Sequence, residues 1–359
     1  MKQSLRALCV GTLLCALLLS ATPLRVDAAS AQQTSTAAAH KDYSSLQVIP
    51  GGVPFGVKFT TDGVLVVGFC DIENSGKVCN PAREAGLRIK DVLTHVNGQP
   101  ITSAQDLTDK INACADRPLS IQYTRGGKPG TATLTPIASP KEGGYKSGLY
   151  VRDSGAGIGT LTYVIPGSLS FAGLGHGICD GDTGELMPLH RGRVVGVTIN
   201  GIKRGVSGTP GELRGYFDAA KNGTLLDNTP CGVFGVLNEV PPALAHESCS
   251  VATRDQIHEG DVSIICTLSS NQRRTYSARI YAIDRDAKGS KCFTVQITDP
   301  TLLEETGGIV QGMSGSPILQ DGKLIGAVTH VLIGDPSRGY GIFIENMLDQ
   351  TQASLAKAS

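Results

Sequence analysis

The chain has 359 residues with 32 basic against 32 acidic side chains, so it carries no basic field to gather phosphates, and a nucleic-acid role is disfavoured. Apolar residues make up 40% of it, which excludes wholesale disorder. At ~150 residues per domain this length predicts two or three domains, and 45 glycines without a single Trp point to turn-rich, mainly β structure.

Residues 1–28 read as a targeting segment. Lys2 and Arg6 precede the apolar stretch Ala7–Leu24, and Val26 and Ala28 suit a cleavage site after Ala28. A span needs roughly 20 apolar residues, so the stretch is either a cut signal peptide or an uncut anchor. In both cases the rest of the chain is expected outside the cytoplasm, membrane-tethered or secreted. Residues 29–45, rich in Ala, Ser, Thr and Gln, form a flexible linker. Eight cysteines follow the leader, three before residue 140 and five after residue 148. Odd counts forbid complete pairing within each part, so they serve as small core residues or form some disulfides. No C-x-x-C occurs, and neither a metal site nor a cofactor is expected; D-G-D-T-G-E at 180–185 reads as a hairpin turn before a calcium loop.

From Leu46 the pattern becomes strands joined by Gly/Pro turns. Asn80–Ile101 predicts a helical turn ended by Gly86, a strand Asp91–Val96 and an Asn97-Gly98 turn. Ser103 caps a helix to about Cys114 with Leu107 and Ile111 on one face, and a hairpin turns on Gly126-Gly127. The segment A-G-L-x-x-x-D-V-L-x-x-V-N-G-Q-P-I resembles a PDZ domain, here residues 46–140. Such domains add a peptide C-terminus as a strand, its carboxylate held by backbone N–H groups of a glycine-containing loop. Phe55-Gly56-Val57 resembles that loop, although Pro54 before it supplies no donor.

After a linker at 138–147, residues 148–348 alternate short apolar runs with glycine turns, the signature of a β-barrel or sandwich. Gly155–Thr160 precedes a strand rather than a helix, so it is read as the entry to that barrel and not as a dinucleotide loop. Residues 349–359 are a weakly helical tail. The sharpest motif is G-G-I-V-Q-G-M-S-G-S-P-I-L-Q-D-G, from Gly307 to Gly322. Glycines around a Ser expose its oxygen and aim successive N–H groups into one concavity. The plain alternative is a Gly/Ser turn before the Asp321-Gly322 hairpin. The order G-x-S-G-x-P resembles chymotrypsin-like serine peptidases, which makes Ser314 the nucleophile and the N–H groups of Gly312 and Ser314 the oxyanion hole.

Of seven histidines, His40 and His95 lie in the linker and the PDZ-like part, and His246 and His258 have polar surroundings. His190 looks like a turn residue, and His330 follows Ser314, against the chymotrypsin-like order. His176, between glycines in G-L-G-H-G-I, is the best base. Asp299, ending a strand before Pro300, is the candidate to orient it.

These segments together resemble the stage IV sporulation protein B family of serine peptidases. The resemblance implies a PDZ domain followed by a chymotrypsin-like double β-barrel, and a catalytic set of His176, Asp299 and Ser314. It further implies limited cleavage of a membrane-associated regulator of an intramembrane protease, which releases a late sporulation sigma factor, in the space between forespore and mother cell. The PDZ domain would recruit the partner or restrain the peptidase, and the chain itself is a candidate substrate. Asp299 lies only 15 residues before Ser314, closer than in digestive enzymes, and Met313 replaces their usual Asp. The competing reading is a non-catalytic envelope adaptor built on a degenerate peptidase.

Overall fold

The computed structural model describes residues 41–244 and 248–358. The leader, most of the linker, His40 and His246 lie outside the described residues. Among the described residues no helix is long and apolar enough to cross a membrane, and all eight cysteines are free thiols.

In chain order, a short strand β1 (Gln47–Pro50) leads into β2 (Pro54–Phe69), which is 16 residues long. Then follow β3 (Val92–Val96), α1 (Ala104–Cys114), β4 (Leu119–Arg125) and β5 (Lys128–Leu134). Ser103 caps α1 by accepting the Asp106 N–H at 3.0 Å, and Leu107 and Ile111 are its buried face. The far half of β2 pairs with β3, β3 with β4, and β4 with β5. This sheet and α1 enclose Val64, Val66, Leu93, Leu107, Leu119 and Ile121.

The chain returns on β6 (Leu149–Val164), also 16 residues long, followed by β7 (Ser170–Gly173), β8 (Leu189–Lys203), β9 (Glu212–Thr229) and β10 (Gly232–Leu237). With the near half of β2 they close a six-stranded barrel in the order β2, β6, β7, β10, β9, β8 and back to β2. A second closed barrel is made of β11 (Gly260–Thr267), β12 (Arg273–Ile283), β13 (Phe293–Ile297), β14 (Pro317–Gln320), β15 (Lys323–Leu332) and β16 (Asp335–Phe343). Its strands alternate as a one-sided sheet must: along β12, Tyr276, Ala278 and Ile280 face the core while Thr275, Ser277 and Arg279 face out. Between β13 and β14 runs the short helix α2 (Pro300–Thr306), and α3 (Ile344–Ala358) ends the chain.

Two sequence expectations change here. The PDZ-like module does not precede the peptidase as a separate block: residues 54–60 belong to the first barrel, and β2 and β6 run without a break from barrel to module. Nor are residues 349–359 a weakly helical tail: to Ala358 they continue the regular helix α3 that starts at Ile344. Met347, Leu348, Thr351 and Ser354 of α3 are buried against strands of both barrels. Tyr43, read as linker, also packs there and donates to Asp349 at 2.6 Å. The start of α3 is held by Arg254, whose backbone N–H and Nε both donate to Glu345 at 2.8 and 2.9 Å.

Candidate active site

Ser314 lies in the turn between α2 and β14, and its segment is held by both barrels. From the first barrel, Thr160 N–H donates to the Ser314 carbonyl at 2.9 Å and Thr160 Oγ1 to the Gly312 carbonyl at 2.8 Å. Thr162 Oγ1 donates to the Gly315 carbonyl at 2.8 Å. From the second, the Gly315 N–H donates to Val328 at 2.7 Å. Met313, fully buried, plugs the segment into the core. Gly315 has φ +94, and an added Cβ would stand 2.0 Å from the Thr160 carbonyl oxygen, so only glycine fits. Gly312, at φ +98, lies against Leu213. The backbone N–H groups of Gly312 and Ser314 have no acceptor among the described residues, whereas those of Met313, Gly315 and Ser316 each donate to a carbonyl. Two N–H donors with a single residue between them, beside the half-buried Ser314 hydroxyl, are what an oxyanion needs.

His176 follows β7, and Leu174 in the same loop has φ +67, an uncommon conformation for a bulky side chain. Asn228 anchors the loop beyond, accepting the Ile178 N–H at 2.8 Å and donating to the carbonyls of Ile178 and Met187, both at 2.9 Å. His176 Nδ1 lies 2.9 Å from the Gly177 carbonyl. A carbonyl only accepts, so Nδ1 carries the proton and Nε2 keeps its lone pair, the tautomer a general base requires. Burial holds the His176 pKa below the ordinary value, partly opposed by that carbonyl.

Ser314, His176 and Gly312 line one cavity of about 400 Å³ between the barrels. Its other walls include Ile158, Leu174, Pro210, Val310 and Val331, all apolar, and no carboxylate. In the state described, Ser314 Oγ donates to the Thr329 carbonyl at 2.7 Å. A side-chain rotation is therefore needed before the hydroxyl turns to an acceptor in the cavity.

Asp299 is not brought to His176. Its side chain caps α2, accepting the N–H groups of Thr301 at 3.0 Å and Leu302 at 3.1 Å, while its other oxygen takes the Ser277 N–H at 3.3 Å. Among the described residues no carboxylate pairs with His176, and the expectation for Asp299 is corrected to a capping role. Phe55, Gly56 and Val57 are corrected as well. They form no loop: Gly56 pairs with Ile158 on one side and Val195 on the other, and Phe55 and Val57 are buried in the barrel core. A strand paired on both edges has no N–H row left for a peptide. The module instead has a cavity of about 460 Å³ lined by Thr108 and Ile111 of α1, Leu149 and Tyr150 of β6, and Tyr145. Asp180, from the turn read as a calcium echo, is paired with Arg152.

The residue that sequence reasoning passed over is His330. It lies on β15 in the same cavity wall, its ring centroid 4.8 Å from that of His176 with the planes at 39°. Its only sequence signal was proximity to Ser314 in the chain.

Two closed six-stranded barrels, with a glycine-flanked serine from one and a histidine from the other meeting in a cleft, define a chymotrypsin-like serine peptidase carrying a PDZ domain. The family model described as SpoIVB peptidase S55 matches residues 143–348 and that of a PDZ domain residues 56–135. The first match covers more than half of the chain, which therefore belongs to the SpoIVB peptidase S55 family. No curated protein matches the chain. Among solved structures, the PDZ domain of the SdrC-like protein Lmo2051 from Listeria monocytogenes is 26% identical over 26% of this chain and 90% of its own, with a TM-score of 0.21. The active form of the Rv3671c protease from M. tuberculosis is 15% identical over 55% of this chain and 74% of its own, with a TM-score of 0.33. The HtrA-type protease AlgW, solved with a decapeptide, is 13% identical over 61% of this chain and 56% of its own, with a TM-score of 0.34.

Proposed function

We propose that the protein is an exported serine endopeptidase in which Ser314 is the nucleophile and His176 the general base. The observation that carries this reading is the meeting of Ser314, His176 and the two unpartnered N–H groups of Gly312 and Ser314 in one cleft. Ser314 Oγ attacks the scissile carbonyl carbon as its proton passes to His176 Nε2, and the carbonyl oxygen becomes the oxyanion held by the two N–H groups. The tetrahedral intermediate collapses, His176 returns the proton to the leaving amine, and an acyl-Ser314 ester remains. Water, deprotonated by His176, hydrolyses that ester and restores both residues. The aliphatic walls without a carboxylate favour an apolar residue at the cleavage site over Lys or Arg.

The family supports the finer reading. The substrate is a membrane-associated regulator of an intramembrane protease, cut in the space between forespore and mother cell so that a late sporulation sigma factor becomes active. The leader tethers or exports the enzyme, the PDZ domain recruits the partner or restrains the peptidase, and the chain cuts itself in the segment before Asp42. The test treats the body from Ala29 to Ser359, as wild type, Ser314→Ala and His176→Ala, with a fluorophosphonate probe, with folding checked by circular dichroism. Labelling and self-cleavage in the wild type alone are expected. Equal labelling of folded Ser314→Ala would remove Ser314 from the reaction, and equal labelling of folded His176→Ala would remove the base.

A further inference from the structure

His176 lacks the usual orienting partner. Its Nδ1 is tied to the neighbouring Gly177 carbonyl, a single neutral hydrogen bond, and Asp299 is spent on the α2 cap. The group that does lie against the imidazole is a second imidazole. His330 stacks on it in a tilted arrangement with centroids 4.8 Å apart. The His330 Nδ1 is buried and has no hydrogen-bond partner among the described residues, so the ring is held in the wall by packing rather than by a hydrogen bond from that nitrogen. The titratable groups felt by His330 are the adjoining His176 and Lys291, from the segment before β13, both cationic when charged. Burial first, and then these two groups, push its pKa down to about 4, so His330 is neutral wherever a histidine base works.

We propose that His330 is the positioning residue of the general base, doing by ring stacking what a carboxylate does by hydrogen bonding in chymotrypsin-like enzymes. The proposal rests on the reading of His176 as base. A flat neutral ring on one face of His176 limits rotation of the imidazole, so Nε2 keeps facing the cavity while the Gly177 carbonyl fixes the tautomer. When His176 takes the Ser314 proton, its cation lies against the π system of His330, an attraction of the cation–π kind. A charged His330 would repel that cation, so the pocket that keeps it neutral is part of the device.

The experiment measures fluorophosphonate labelling of Ser314 in the full chain against pH, separating the maximal labelling rate from probe affinity. The variants are His330→Ala, His330→Phe, His330→Leu and His176→Ala, with thermal melting to follow folding. The expected result is a fall on the order of 10-fold in maximal rate for Ala and Leu, with affinity within about 3-fold. In His330→Ala the acid limb moves up toward the ordinary histidine value, because water reaches His176. His330→Phe restores the flat ring and recovers most of the rate. Should Ala fail to fold, Leu fills the volume without a flat face and carries the same expectation. Wild-type rate and acid limb in folded Ala or Leu, with His176→Ala inactive, overturn the proposal. So does an equal loss in Phe, or a loss confined to affinity, which would make His330 a substrate contact. An active His176→Ala would instead overturn the reading of the base beneath it.

Discussion

Replacing Asp299 separates a cap from a catalytic carboxylate. Asp299→Ala removes the acceptor of two α2 N–H groups, at 3.0 and 3.1 Å, and of the Ser277 N–H at 3.3 Å. Loss of an N-cap costs about 1 kcal/mol, and the amide of Leu302, whose side chain is fully buried, adds about 1–3 kcal/mol if left unpaired. The sum of about 2–4 kcal/mol corresponds to a fall in melting temperature of roughly 3–6 °C for a folded body of this size. Since α2 leads straight into the Ser314 segment, labelling by a fluorophosphonate should fall with it. Asp299→Asn keeps a side-chain carbonyl over the helix, and Asn caps as well as Asp. That variant should melt within about 1 °C of wild type and label Ser314 within about 3-fold. An orienting carboxylate behaves in the opposite way: its amide leaves the fold intact and removes about 10⁴-fold of the rate. Scanning calorimetry and labelling kinetics on the two variants decide the matter. An Asn variant with wild-type melting and a loss of that size would refute the capping argument and return Asp299 to the catalytic set.

Gly315→Ala sets a Cβ 2.0 Å from the Thr160 carbonyl at φ +94, so the Ser314 segment must shift, and labelling should drop by more than about 100-fold; unchanged labelling would contradict the geometry. Arg254→Met leaves Glu345 buried without its partner and should cost about 3–5 kcal/mol in urea unfolding. Arg254→Met with Glu345→Leu should recover most of that loss, and additive losses would refute a coupled pair. Acid sensitivity follows from His330, whose folded pKa of about 4 lies below its ordinary 6.5. The native state then binds fewer protons than the unfolded chain between those values, so stability is full above about pH 6.5 and declines as the pH falls toward 4. Allowing for partial solvent screening the decline is roughly 1–2 kcal/mol. His330→Phe should lose that much less stability than wild type between pH 7 and 4.5, and parallel curves would refute the assignment.

Ser314 and His176 were legible because each is flanked by glycine, and a glycine-flanked polar residue between apolar runs is a local signal. The PDZ-like elements were legible for the same reason, with Ser103, Asn97-Gly98 and Gly126-Gly127 marking their ends close to where they stand. Asp299 misled because T-D-P followed by L-L also spells a helix start, with Asp as cap and Pro in the first turn, and the nearness of Ser314 drew attention away from that. Phe55-Gly56-Val57 misled because loop or strand is decided by partners at Ile158 and Val195, about 100 and 140 residues away. The helix Ile344–Ala358 does carry Ile344, Met347 and Leu348 at helical spacing, but its burial depends on two barrels closing over it. His330 could be recognised only by the ring it touches.

The continuity of β2 and β6 means that the PDZ domain is a graft in a barrel hairpin, with both ends of the graft stitched to the ladder. Cutting the chain ahead of Gly148 does not liberate a peptidase; it strips the first barrel of β2, and of the β1 strand that pairs with the end of β6, and opens a sheet that was closed. The segment 143–348 matched by the family model is, in this chain, a barrel short of a stave. Thr60 and Ser154 are Cα partners on adjacent strands, so residues 61–153 can be exchanged for a tight turn without moving either strand. The same splice makes the graft a handle: β6 runs from the module wall at Leu149 to Thr160, whose N–H and hydroxyl grip the Ser314 segment. Torsion applied at the handle enters along two strands, β2 and β6, and the second delivers it through the hydrogen bonds of Thr160 to the backbone of the nucleophile.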